Sequence, residues 1–452
     1  MASTDSVKRF LAHPAVLVAI AAIVVRLVLM PLLTYDYDIY HWAQIIENFQ
    51  TGDGLYDIDA YYYTPTWGYL LGFISLVMDA FLNVGDFGIR FVELLPVEDL
   101  AFRFHTATTV TLSFAVCMKI PIMLADLATG YLLYRFIRDE FGSERKALFG
   151  LILWLFCPTL IYMSGVQAQF DSFSALFMML TFVLIRNDRN LLAGMTFAAG
   201  VMLKFFPAFT VIVLVAYVLV KHRADGTGLR RVAASVIGAS LVTLVMYIPI
   251  IMSGDVATSL SFVTGRAGDM QEVLLVAIGN YIVIAIAVAG MLAFGWLMHR
   301  SSPEDADRNL LVYTFLALSA AMFMSATPQY MLVMLPFMIM VMMGCDGRMR
   351  LPYILICAGS IISALANNNV LLLDGASAYL GLVSADWINS VAEALHTFVG
   401  SQTYMGYVCN VGQVLEYIGF ILIPLIWYDK VVERYSPRLA AGLRGLKRWD
   451  VE

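Results

Sequence analysis

An all-α polytopic membrane protein of about 12 to 14 transmembrane helices, with a large first extracytoplasmic loop, is the fold class this sequence predicts. Three observations predict it. Of 452 residues, 60% are hydrophobic and only 14% charged, whereas a soluble globular chain has about half and about a quarter. Apolar runs recur from Pro14 to Trp427, and about 20 such residues cross the roughly 30 Å of bilayer hydrocarbon. Finally, 22 of the 28 lysines and arginines fall in connections that one alternation of crossings puts on a single side. Disorder, a disulfide-stapled secreted fold and a nucleic-acid binder are excluded on the same figures. The five cysteines form no C-x-x-C pair and read as small hydrophobes.

Taken in order, the run Pro14 to Leu33 follows Lys8 and Arg9 and has no small-residue cleavage site, so it predicts a retained span rather than a signal peptide. Residues 34 to 66 form the first loop. Phe104 to Ile137 is predicted as one long helix, with two short helices meeting at Lys119-Ile-Pro121 as the alternative; the part played by residues 66 to 104 depends on the choice. Between Arg189 and Lys221 lies an apolar stretch with cations at both ends, which parity resolves as a hairpin of two short helices meeting near Lys204-Phe-Phe-Pro207. Basic connections mark the cytoplasmic side. That rule makes both termini cytoplasmic and puts segments 34 to 64, 164 to 171, 253 to 274, 327 to 330 and 367 to 410 on the opposite face, predicting a multi-pass plasma-membrane protein.

Six cations fall outside those connections: Arg26, Arg90, Arg103, Lys119, Lys204 and Arg266. A charge in hydrocarbon costs several kcal/mol, so it serves a polar site, finds a partner or snorkels to a headgroup. Snorkelling and function weigh equally for Arg26, Arg90 and Arg103. Lys119 and Lys204 each stand shortly before a proline at a predicted outer tip, where irregular backbone requires a wet or protein-lined site, and are read as functional.

The first loop holds Asp36, Asp38, Glu47, Asp53, Asp57 and Asp59 among seven tyrosines, with Trp42 in it and Trp67 directly after it, and no lysine or arginine. An interfacial aromatic belt accounts for the rings. It leaves Asp36 and Asp38, close to the membrane boundary in a frame of tyrosines, unexplained. A partly desolvated carboxylate has a raised pKa and can take a proton from a hydroxyl. Outer-face cations at Lys119, Lys204 and Arg266 could hold a phosphate leaving group. The patch Ser164-Gly-Val-Gln167-Ala-Gln169-Phe-Asp171-Ser172 adds amide groups suited to sugar hydroxyls, although Asp171 alone could be a helix cap.

In order, the blocks Asp38-Ile-x-x-Trp42-Ala, Gly54-x-Tyr56, Tyr63-Thr-Pro65, Lys119-x-Pro121 with Ala125-Asp126-Leu127, Cys157-Pro158, Ser164-x-x-x-Ala-Gln169-x-Asp171-Ser172 and Lys204-x-x-Pro207 resemble the GT-C glycosyltransferases. The chain looks most like the prokaryotic relatives of the PIG-V mannosyltransferases. It departs from them at Gln167-Ala-Gln169, where the pattern has Trp-Gly-Gln, and at Thr327-Pro-Gln-Tyr330. The resemblance implies a GT-C fold with a catalytic module over residues 1–220, including loop 34–66. Residues 221–452 would form a C-terminal transmembrane module with outer loops 253–274 and 367–410.

It also implies an inverting glycosyltransferase that moves a hexose, commonly mannose, from a polyprenyl-phosphate carrier to a lipid, glycan or protein acceptor. The catalytic role falls on Asp38, or on Asp36 if the loop is shifted. Donor phosphate contacts fall on Lys119 and Lys204, with Arg266 added from charge topology. His41, Trp42, Tyr63, Gln167, Gln169, Asp171 and Tyr330 are the sugar or acceptor contacts expected. No nucleotide site is expected, and the one cofactor left open is a divalent cation, Mg or Mn, which in bridging Asp36 or Asp38 to phosphate would leave no fixed spacing from which to read it. The alternative from another class is a flippase or transporter of lipid-linked sugars, against which stands the absence of a second-half counterpart to the acidic loop.

Overall fold

The computed structural model describes residues 12–435 except 52–53, 57–60, 62, 82–89, 92–107, 260–273, 325–327, 369–371, 374–375, 377–379, 385, 388–389 and 391–402. Helices dominate these residues. The one strand pairing described joins Arg90–Phe91 to Thr108–Thr109, antiparallel. Among the described residues six helices are long and apolar enough to cross a membrane, or seven when a bent helix pair is counted as one span.

Local chemistry sets the helix ends. Helix α1 (Pro14–Leu32) begins at a proline whose missing N–H costs nothing there, and His13 accepts from the Ala15 amide. Helix α2 (Asp36–Thr51) lies within residues 34–66, where the sequence predicts a loop. Its acids at the first turn suit the positive end of the helix dipole. Ile39, Trp42, Ala43 and Ile46, at helical spacing, bury one face. Helix α3 spans Pro65–Met78. Helix α4 (Leu112–Phe141) is one continuous 30-residue helix through Pro121, capped by Thr111 and ended by Gly142 at φ 60°; of the predicted stretch Phe104 to Ile137 it includes residues 112–137 without a break at Lys119-Ile-Pro121, while Thr108–Thr109 form the short strand and residues 104–107 lie outside those described.

Helices α5 (Glu144–Leu155) and α6 (Pro158–Gly165) bend by 49° at the intervening Cys157-Pro158, because proline cannot continue the α5 ladder. Helix α7 (Asp171–Arg186) follows a tight turn. The stretch between Arg189 and Lys221 is the expected hairpin, formed by α8 (Asn190–Leu203), a 3-10 turn (Phe206–Thr210) and α9 (Val211–Lys221). The second half continues with α10 (Gly228–Ser253), α11 (Leu274–His299), α12 (Ala306–Met322), α13 (Leu335–Gly344), α14 (Arg350–Asn368) and α15 (Thr403–Tyr435).

Two apolar clusters organise the packing. The larger joins α4 to α9 with α12 to α15; the smaller gathers α2, α3 and the start of α4 around Trp42, Trp67 and Phe114. At one end of the bundle the basic connections meet, and acids among them pair with their cations. Arg186 pairs with Glu140 at 2.8 Å and Asp307 at 3.4 Å, Lys221 with Asp188 at 3.6 Å, and Arg231 with Asp188 at 3.5 Å. From Arg189 at this end to Lys204, the 14 residues of α8 rise about 21 Å, well short of the roughly 30 Å of hydrocarbon. The Lys204 end of the hairpin is therefore recessed into the membrane when the basic end lies at the opposite boundary.

Candidate active site

The recessed end is where the sequence-derived residues converge. Asp38 stands in the first turn of α2, and its Oδ2 accepts a hydrogen bond from Gln169 Nε2 at 2.6 Å. Burial pushes the Asp38 carboxyl up to about 7, against the opposing pull of the Gln169 amide and the Lys204 ammonium; the Asp171 carboxylate adds to the rise. A carboxylate that titrates near neutrality is a fit general base. Lys204, in extended backbone where α8 ends, has its Nζ 3.4 Å from Asp171 Oδ2. The same ammonium lies over three rings, 4.3 Å from Phe170, 5.0 Å from Tyr330 and 5.2 Å from Tyr63. Such a cage holds a cation with little water; the Lys204 side chain is only 7% exposed.

The turn between α6 and α7 holds these parts in place. Ala168 sits at φ 55°, a left-handed conformation costly for a residue with a Cβ. That bend aims the Ala168 carbonyl at Trp42 Nε1, 3.2 Å away, and frees the Gln169 side chain to meet Asp38. Trp42 packs edge-on against Trp67 and Phe170, and Trp67 stacks on Phe170 at 4.3 Å. On the same side, Tyr61 donates its hydroxyl to Thr64 O at 2.8 Å and accepts from the Gly68 amide at 2.8 Å, while Thr64 Oγ1 donates to Met202 O. Tyr61 and Thr64 are thus structural ties that fix the entry to α3 beside Lys204.

The remaining sequence-derived residues are placed as follows. Gln167 is buried in the same turn. His41 is part-buried on α2; burial keeps its imidazole below the usual range, with Gln44 working the other way. The Lys119 ammonium donates to Met30 O at 2.8 Å, Leu33 O at 3.0 Å and Thr34 Oγ1 at 3.0 Å, clasping the end of α1 where the chain turns toward Asp38. Asp36 is the first residue of α2, but its side chain lies outside the described residues, as do Arg103 and Arg266 and the side chain of Arg90. Among the described residues no three His, Cys, Asp or Glu side chains converge on a metal-sized site.

One buried group gained a role that the sequence reading left open. Arg26 is 1% exposed, and its guanidinium meets Asp126 Oδ2 at 3.4 Å, Leu155 O at 2.9 Å and Ser164 Oγ at 3.4 Å. It ties α1 to α4, α5 and α6 instead of snorkelling. The available signal was electrostatic: two opposite charges in separate apolar runs are each costly alone and tolerable as a pair. The Phe170 and Tyr330 walls of the Lys204 cage lacked such a signal, since rings in apolar runs are common.

The chain is similar to known proteins over part of its length. The family model for dolichyl-phosphate-mannose-protein mannosyltransferases matches residues 103–252, about a third of the chain. A relative from Arabidopsis thaliana, a dolichyl pyrophosphate Glc1Man9GlcNAc2 alpha-1,3-glucosyltransferase, is 28% identical over 147 residues, or 32% of this chain. The match spans only 28% of that relative's own length. The matched stretch contains Lys119, Asp126, Gln169, Asp171 and Lys204, and together with the helical, multi-span architecture it makes the fold a GT-C fold.

Proposed function

We propose that this chain is an inverting glycosyltransferase that takes a hexose, mannose in the first instance, from a polyprenyl-phosphate carrier and delivers it to an acceptor hydroxyl on the extracytoplasmic face. The observation that carries the reading is the grouping of Asp38, Gln169, Lys204 and Asp171, a near-neutral carboxylate beside a caged ammonium. Asp38 accepts the acceptor's hydroxyl proton as that oxygen attacks the anomeric carbon. The bond from the anomeric carbon to the phosphate oxygen breaks on the opposite face, and the electron pair leaves with the polyprenyl phosphate. Lys204 offsets the charge that develops on that phosphate.

Asp171 keeps the ammonium charged and aimed while no donor is bound. Gln169 lowers the Asp38 pKa toward working pH and orients the carboxylate. The recessed position suits a carrier whose tail stays in lipid while its phosphate reaches a protein-lined site. The family name, dolichyl-phosphate-mannose-protein mannosyltransferase, supports a lipid-phosphate-linked donor, and the separate mannosyl and glucosyl names leave the sugar to experiment.

Purified protein incubated with synthetic polyprenyl-phosphate-mannose and a membrane-lipid extract is expected to release polyprenyl phosphate, and Asp38→Asn to abolish release. Glucose and pentose donors run in parallel identify the sugar. Full turnover by Asp38→Asn would refute the base assignment. Binding of all three donors without release from any would favour transport of the intact lipid-linked sugar.

A further inference from the structure

A second polar pocket lies at the opposite, basic end of the bundle. It has a volume of about 490 Å³ and is built from the turn before α8 and the first two turns of α10. Arg189, Arg230 and Arg231 line it together with Asp188, Asn190 and Thr227. Asp188 is already shared by Lys221 at 3.6 Å, His222 at 2.9 Å and Arg231 at 3.5 Å, which leaves the pocket net positive. Among the described residues Arg189 and Arg230 make no ion pair.

Three further features favour an anion there. Helices α8 and α10 both begin at this pocket, and neither has a side-chain cap on its first amides, so two sets of N–H donors converge with two helix dipoles. Glycines bring the two helices together, since a Cβ on Gly194 would fall 1.9 Å from Ser235 O and one on Gly238 would fall 2.0 Å from Leu191 O. Asn190 is 5% exposed; its Nδ2 donates to Asp188 O, but its Oδ1 accepts no hydrogen bond. An orphaned buried acceptor beside an anion site fits a ligand that also carries a hydroxyl.

The setting identifies what brings that anion. α10 is a 26-residue span, and only 11% of its apolar window is buried inside the protein. Val236, Ile237 and Leu241 on it are each at least half exposed, as acyl-chain contacts must be. A net positive pocket at the membrane-surface end of a lipid-facing helix is placed to meet an anionic lipid headgroup.

We infer that the pocket between Arg189, Asn190 and Arg230 is a specific site for an anionic glycerophospholipid with a hydroxylated headgroup. The phosphate is held by the two arginines and the first amides of α8 and α10, a headgroup hydroxyl donates to Asn190 Oδ1, and the acyl chains lie along α10. The site shares no residue with the Asp38 and Lys204 cluster, so it stands or falls independently of the proposed activity.

The full-length protein in detergent is titrated by native mass spectrometry with phosphatidylglycerol, phosphatidic acid and phosphatidylcholine of one chain composition. Wild type is expected to retain phosphatidylglycerol most tightly and phosphatidylcholine least. Arg189→Gln/Arg230→Gln is expected to weaken phosphatidylglycerol by roughly thirtyfold, the effect of two arginines on an anionic headgroup. Arg135→Gln, which breaks a surface pair with Asp139 elsewhere on the basic end, leaves binding unchanged. Asn190→Leu removes the preference for phosphatidylglycerol over phosphatidic acid and keeps phosphatidic acid binding, a comparison made within one folded preparation. Equal retention of phosphatidylcholine, unchanged binding by the double variant, or displacement of phosphatidylglycerol by equimolar polyprenyl phosphate would each overturn the assignment.

Discussion

Replacing Gln169 by Leu should move the pH dependence of the reaction without destroying the reaction. The Gln169 amide donates to Asp38 Oδ2 at 2.6 Å and is the largest influence holding that carboxyl down against burial. A hydrogen bond to a charged group is worth about 1.5 to 3 kcal/mol, and each pKa unit corresponds to about 1.4 kcal/mol. Losing the bond therefore raises the Asp38 pKa by about 1 to 2 units, from about 7 to about 8 or 9. The base works ionised, so the acidic limb of kcat/KM moves the same distance upward. At pH 7 the ionised fraction falls from about one half to between a tenth and a hundredth, and the rate falls about 5- to 50-fold. By pH 10 variant and wild type should converge. The assay is polyprenyl-phosphate release from pH 5 to 10. A limb that stays near 7 while the alkaline plateau drops would show that Gln169 serves the sugar and not the base.

Three other perturbations test the remaining parts of the architecture. Arg26→Met or Asp126→Leu alone leaves a buried charge without its partner and should cost about 3 to 5 kcal/mol, whereas the double variant should recover most of that loss; additive losses in thermal unfolding would dismiss the pair. Lys204→Gln should abolish donor turnover and destabilise the protein, and adding Asp171→Asn should restore stability but not turnover. Recovery of both would reduce Lys204 to a structural counter-ion. Gly194→Val places a Cβ where the Ser235 carbonyl lies, so a loss of about 1 to 3 kcal/mol or more is expected; an unchanged melting temperature would contradict the close crossing of α8 and α10.

The helical, membrane-spanning class and the α8/α9 hairpin were legible in the sequence because they rest on summed hydropathy and on charge parity, both properties of long stretches. The pairing of Lys204 with Asp171 and of Asp38 with Gln169 lay within the right set of residues, since a carboxylate, an amide and a lysine stand out in apolar or aromatic surroundings. The geometry inside the set was not legible. Lys119 carries the same charge and the same nearby proline as Lys204, yet one clasps the end of α1 while the other sits in a ring cage beside Asp171. Helix α2 was not legible, because aspartates and tyrosines have weak helix preference and its stability comes from burying Ile39, Trp42 and Ile46 against a partner surface far along the chain.

The left-handed turn at Ala168 also imposes an order of events on biogenesis. Gln169 lies 131 residues after Asp38 in the chain, and the Trp42 indole waits for the Ala168 carbonyl over nearly the same interval. At roughly 5 to 20 residues per second, the amphipathic helix bearing Asp38 emerges about 7 to 26 seconds before the turn that seats it. For that interval Trp42 and Ile46 have no finished surface to bury against. During synthesis the apolar face of this segment therefore stays without its full partner surface until α6 and α7 are in place.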